Sequence, residues 1–183
     1  MEKIQCDDGE EKYNRRLEKD FVDQLKRRIK KLSKEELKER IIQFIGDNVL
    51  CTLATCTENV PRSTIVRYRS KNLTIFILTE GGGKIKNIRQ NPQVSLSICG
   101  AYSGFQSVTG LQAWGKAEII SPEDTARYQE IRSLMGLTAR EDLKSVDLKR
   151  IPDMYIIKID IARARFLSFP EGILNQVLAV EEI

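Results

Sequence analysis

Three consecutive glycines followed by a lysine stand in TEGGGKIKNIRQNP, residues 79 to 92, between an apolar strand-like run and a short helix-like stretch closed by Asn91 and Pro92. Only 11 glycines occur among the 183 residues, so the cluster asks for a physical reason. The start of a helix leaves backbone N–H groups unpaired and carries partial positive charge, and an anion placed there gains several hydrogen bonds at once. Glycines at 81, 82 and 83 would let an anion approach that backbone closely, and Lys84 adds a full charge in the first turn. A flexible turn beside a chance lysine accounts for the same residues, and the spacing alone leaves both readings open.

A second cationic feature lies upstream, where Arg62 and Arg67 bracket the β-branched run Ser63, Thr64, Ile65 and Val66. A guanidinium without a partner in a half-buried strand is costly, and a bound phosphate would relieve one of the two. Regular alternation sends positions 62 and 67 to opposite faces, so one of them belongs at a strand edge or beyond a bulge. Solvent-facing arginines on an edge strand are the competing reading. Further on, Tyr128 and Arg132 sit four apart and share a helix face, as an ordinary amphipathic helix also requires.

What is missing narrows the chemistry. The chain has no histidine, which removes the commonest metal ligand, the usual general base, and any Ser-His or Cys-His nucleophile pair. Its four cysteines, Cys6, Cys51, Cys56 and Cys99, show no C-x-x-C spacing, and the last three fall in apolar runs. Buried free thiols are expected, with no metal site and no disulfides. Thirty basic against 26 acidic residues leave a net charge of +4, which suits a phosphorylated small molecule and does not by itself imply nucleic acid. The run KRRIKK at 26 to 31 reads as a solvated helix face. No apolar run approaches the roughly 20 residues that span a bilayer, and the N-terminus lacks the apolar core of a secretory signal. A cytoplasmic protein without a membrane partner is expected.

The elements that must position these groups follow from periodicity. Apolar residues at spacings of three and four predict an amphipathic helix over 10 to 32, and residues 1 to 33 form a charged helical extension. A second helix opens with the capping pair Ser33 and Glu36, carries Leu37, Ile41, Phe44 and Ile45 on one face, and stops at Gly46. From Val49 the period becomes strand-like: VLCTLATC, RSTIVRYR and LTIFILT read as three consecutive antiparallel strands, with TENVP and RSKN as turns. VSLSI and LQAWGKAEII alternate again, a helix follows from Ser121 to Gly136, and MYIIKIDIARARFLSF makes a last long strand. Residues 34 to 183 are therefore expected to form one domain, mainly β with flanking helices: a six-stranded antiparallel barrel.

The order of these parts, from CTLATC through RSTIVR, TEGGGK and NPQVSLSI to GKAE, resembles the FMN-binding split barrels of the pyridoxamine 5'-phosphate oxidase family over roughly residues 36 to 135. The resemblance implies FMN held at a homodimer interface and an oxidoreductase passing hydride or electrons from a small donor, such as NAD(P)H, to an acceptor. By position it assigns Arg62 to the phosphate and the backbone of Ser63, Thr64, Ile65 and Val66 to the ring. Arg67 falls on the substrate side as the one catalytic candidate. Leu78 and Thr79 would lie along the ribityl chain, and Gly82, Gly83 and Lys84 in the phosphate-binding turn. That turn is one residue shorter than is common in the family, and Gly83 replaces its usual arginine. Tyr128 and Arg132 match a substrate-phosphate pair, but Gly136 stands where a serine would complete it. The histidine of the family's vitamin-gripping motif has no counterpart, so true pyridoxamine phosphate oxidation is not expected. Trp114 is expected at the dimer interface rather than over the flavin. The alternative is a noncatalytic carrier or sensor holding flavin or haem on the same barrel.

Overall fold

Residues 29–135 and 154–180 are described in the computed structural model of the chain. Helix α1, Lys34–Asp47, starts where its capping box dictates. The Glu36 amide donates to Ser33 Oγ at 3.2 Å, and the Ser33 amide donates to Glu36 Oε2 at 2.8 Å. Its apolar face, Leu37, Ile41, Phe44 and Ile45, is buried as the spacing predicts. Gly46 does not end it, because that glycine lacks the positive φ of a left-handed cap. Asn48 closes the helix instead, with Nδ2 donating to the Phe44 carbonyl at 2.8 Å.

The helix expected over 10 to 32 does not extend through its last residues: 29 to 32 are non-helical. Their backbone groups find partners across the chain. The Lys30 amide donates to the Gly172 carbonyl at 2.8 Å, the Leu32 amide to Gln176 Oε1 at 3.0 Å, and the Gln176 side-chain amide to the Lys30 carbonyl. Residues 10 to 28, with the first half of KRRIKK, lie outside the described residues.

Eight strands follow among the described residues, all pairing antiparallel: β1 Leu50–Thr57, β2 Val60–Arg67, β3 Arg69–Lys71, β4 Thr74–Thr79, β5 Gln93–Cys99, β6 Thr109–Ile120, β7 Tyr155–Ser168 and β8 Ile173–Ala179. Helix α2, Gly83–Gln90, lies between β4 and β5, and α3, Thr125–Leu134, follows β6. The sheet runs β2-β1-β5-β6-β7-β4-β3, with β8 also on β7. It curls into the expected split barrel, with β3 and β8 added to the six strands anticipated.

One pairing differs from the sequence expectation. β1 and β2 form a hairpin whose two-residue loop, Glu58 and Asn59, has positive φ at both positions, the twist that a tight hairpin favours. The next strand does not extend this meander. RSKN is not simply a turn: Arg69–Lys71 pairs with β4, Asn72 alone takes the left-handed conformation, and β4 crosses to β7. Burial explains the move. Ile75, Phe76 and Ile77 are all buried, so β4 needs cover on both faces, which the edge position beside β2 cannot provide. Tyr68 pins the crossing by donating its hydroxyl to the Ile45 carbonyl at 2.8 Å.

Strand β7 is the spine. Tyr155–Asp160 pairs with β4, Arg163–Ser168 pairs with β8, and β6 runs along the other edge. The β6–β7 register shifts between Trp114 and Gly115, where Trp114 faces Arg163 and Gly115 faces Ile161. One face of the sheet encloses the main core, including Leu53, Ile75, Ile77, Leu96, Ile157, Ile159 and Phe166. A smaller cluster, Phe76, Ile120, Tyr128, Ile131, Met135 and Ile156, lies under α3.

The cysteines fall less uniformly than expected: Cys51 is buried, Cys56 half-buried and Cys99 exposed. Alternation is the reason, since Cys99 ends β5 on its outer face. Burial pushes the Cys51 thiol up to about 12, so it stays protonated and unreactive.

A charged latch ties α1 to the β7–β8 turn. Arg40 donates from Nε to Glu171 Oε2 at 2.8 Å and from Nη2 to Oε1 at 2.7 Å, and Ser168 Oγ donates to the same carboxylate at 2.9 Å. These bonds, Arg40's first, hold the Glu171 carboxyl below the usual carboxylate range. A lowered folded pKa stabilises the fold above the unfolded value, about 4.3, and that contribution is lost as pH falls through the folded value. Glu171→Gln is therefore expected to melt below the wild type at pH 7, with the gap closing below about pH 4 in a series of thermal melts.

Candidate functional site

The site is assembled from the start of β2, the end of β4 and the start of α2. Arg62 on β2 pairs across from Thr55 on β1. Thr55 is buried, and its Oγ1 accepts a hydrogen bond from Asn87 Nδ2 at 3.1 Å, which fastens α2 to the barrel beside Arg62. Ile85 and Ile88 complete the docking by facing the core. The result brings two sequence-distant cationic features together. A Cβ built on Gly83 would fall 2.6 Å from Arg62 Nε, 2.7 Å from Cζ and 2.8 Å from an Nη, so the guanidinium lies directly against the glycine.

The turn itself needs glycine. Gly81 has φ +127° and Gly82 φ +88°, conformations that L side chains rarely adopt. Gly82 is the N-cap of α2 and offers no side chain to its first-turn amides. Thr79 Oγ1 accepts from the Gly81 amide at 3.4 Å, and Lys84 Nζ donates to the Gly81 carbonyl at 3.2 Å. No acidic residue occurs in the first turn of α2. Among the described residues, no carboxylate forms an ion pair with Arg62 or Lys84. Two cations thus converge on the positive end of a helix, which is unfavourable until an anion joins them.

A cavity of about 260 Å³ opens next to this turn. Thr79, Lys84, Arg67 and Arg69 supply its polar and cationic groups, while Val66, Phe76, Leu78, Met135 and Met154 supply apolar wall and Tyr68 also lines it. Its lining therefore combines cationic and apolar side chains and, among the described residues, includes no carboxylate.

Of the residues singled out in the sequence, Val66, Arg67, Leu78, Thr79 and Lys84 line the cavity, and Arg62, Gly82 and Gly83 meet at the adjoining turn. Strand β2 lies at one end of the sheet order and pairs with β1 without a register shift. Alternation thus separates Arg62 and Thr64 from Ser63, Ile65 and Arg67, with Arg67 at the strand's end. Ser63 and Ile65 are exposed and Thr64 is half-buried.

Tyr128 and Arg132 do not line the cavity. Tyr128, on the buried side of α3, donates its hydroxyl to the Met154 carbonyl at 2.6 Å, while the Arg132 guanidinium sits 5.8 Å from the Tyr128 ring centroid. Trp114 is half-buried on the outer sheet face, opposite buried Ala113 and Ala117, with the Arg163 guanidinium 5.1 Å from its ring. Sequence reasoning missed Tyr68, Arg69, Phe76, Met135 and Met154. Arg69 was visible in the basic run RYR. Phe76 stood in a run apolar on both faces, so alternation gave no side, and the two methionines converge from segments with no shared spacing.

The family model described as pyridoxamine 5'-phosphate oxidase matches residues 37–168, most of the chain. The protein belongs to that family. Solved structures with the same fold include General Stress Protein 26 from Bacillus anthracis, 20% identical over 79% of this chain and 98% of the other, with a TM-score of 0.56. A FAD-binding protein from Mesorhizobium loti is 17% identical over 67% of this chain and 87% of its own, at a TM-score of 0.51. A heme storage protein from Vibrio cholerae is 18% identical over 68% and 89%, at a TM-score of 0.54. At these identities the likeness establishes the fold alone. No curated protein matches the sequence.

Proposed function

We propose that this family member is an FMN-binding flavoprotein and an oxidoreductase, acting as a homodimer on a small donor such as NAD(P)H and an acceptor. One observation carries the reading: Arg62 and Lys84 converge on the glycine-rich start of α2 without a carboxylate partner among the described residues, beside a cavity with apolar walls. A phosphorylated tail with an aromatic head matches both halves. The glycine cradle leaves room for phosphate oxygens at the backbone, so the residues present fit the group.

FMN, when bound, supplies the ring that accepts hydride or electrons. The chain's part is to bind and orient it. Arg62, Lys84 and the first amides of α2 hold the phosphate, Thr79 steadies the turn, and Val66 and Leu78 give the ring and ribityl chain apolar cover. Arg67 supplies positive charge where an anionic substrate or reduced ring would lie. None of this requires histidine.

The homodimer is supported by exposure. Ile65 is 75% exposed and Leu50 56%, neighbours on one face of the β1–β2 pair, where a second copy would cover them.

A noncatalytic carrier remains the second reading, favoured by a cavity lining that among the described residues offers no carboxylate, in a chain without histidine, to act as a general base. Haem-storing and FAD-binding proteins on the same barrel make it concrete. An FMN titration of the purified protein, followed by addition of NADH or NADPH, tests both. Yellow dimer whose flavin bleaches with turnover is expected; tight flavin without turnover would leave the carrier, and failure to bind FMN would end the proposal.

A further inference from the structure

Gly83 differs from its two glycine neighbours in what it is for. Gly81 and Gly82 need positive φ, whereas Gly83 does not, and as the first residue of α2 its backbone suits any side chain. What excludes a side chain there is Arg62. All three atoms nearest to a Cβ at 83 belong to that guanidinium, at 2.6 to 2.8 Å, and no backbone atom is among them. The guanidinium belongs to the far end of a flexible, exposed side chain. An alanine would push the arginine aside and leave the fold alone.

We infer that Gly83 determines phosphate specificity: its missing side chain is the space in which Arg62 lies across the start of α2, so that glycine and arginine form one unit for the phosphate end of the flavin. This rests on the FMN reading. It adds that the unit recognises the phosphate ester and contributes nothing to the ring, so it separates FMN from riboflavin. Lys84 is held separately, by the Gly81 carbonyl.

The test is flavin fluorescence quenching with FMN and with riboflavin on the wild type, Gly83→Ala, Arg62→Ala and the double variant, with melting temperature measured on each. The wild type is expected to prefer FMN. Gly83→Ala should bind FMN about tenfold more weakly, riboflavin within about twofold of wild type, and melt no lower, since alanine favours a helix over glycine. With Arg62 already removed, Gly83→Ala should change nothing further, because the two act together. An FMN preference in Gly83→Ala undiminished from wild type, or equal losses in both backgrounds, overturns the role of Gly83 while leaving the flavin reading intact. A wild type that binds FMN and riboflavin alike removes the phosphate site and this inference with it.

Discussion

Replacing Arg62 and Lys84 together with alanine is expected to weaken FMN by about 100-fold or more, with riboflavin held within about twofold. Hydrogen bonds to a charged group contribute about 1.5–3 kcal/mol each, and the double variant removes two such donors from one phosphate. Each single variant should lose about tenfold to 100-fold. Stability should not fall, because both side chains lie at the positive end of α2 with no carboxylate partner among the described residues. Removing a cation from a helix start relieves a small repulsion. Isothermal titration with the two flavins, next to a melt, checks affinity and stability at once. Equal loss of both flavins would mean that the ring, not the phosphate, is held here.

Gly115→Ala should act on the fold with comparable force. A Cβ at 115 would run into the Asp160 carbonyl oxygen and come within 3.0 Å of its carbon and 3.2 Å of Ile161 Cα. These are backbone atoms of β7, so no side chain can yield, unlike the case at Gly83. The β6–β7 register shift sits at this glycine, and β7 also carries β4 and β8. Overpacking typically costs about 1–3 kcal/mol, and against backbone in the sheet's central pair the upper end, about 3 kcal/mol, is expected. Urea unfolding of the variant at fixed temperature measures it; a loss under 1 kcal/mol would show that the two strands can part.

Most of the architecture was legible because burial in this chain follows period. Leu37, Ile41, Phe44 and Ile45 gave α1 its face, and the capping pair gave its start. The β1–β2 hairpin was readable from its turn. What the sequence did not reveal is who sits beside whom once the turn chemistry falls silent. LTIFILT is apolar on both sides, which announces a strand covered twice but not which strands cover it. The short β3 and the mixed sequence of β8 offer too few alternations to stand out. In the site, Arg62 and the glycine turn were each visible, but their contact depends on Thr55 and Asn87, residues whose types announce nothing. The methionines of the cavity arrive from either side of a long excursion and meet only through the fold.

Strand β7 has a consequence beyond its place in the sheet. The cavity wall hangs from one half of it through β4, and the segment leading into α1 is moored to the other half through β8. Ile156 and Tyr155, opposite Leu78 and Thr79, and Phe166, opposite the Gln176 that moors residues 30 to 32, thus belong to one continuous strand, and the two attachments share a single backbone.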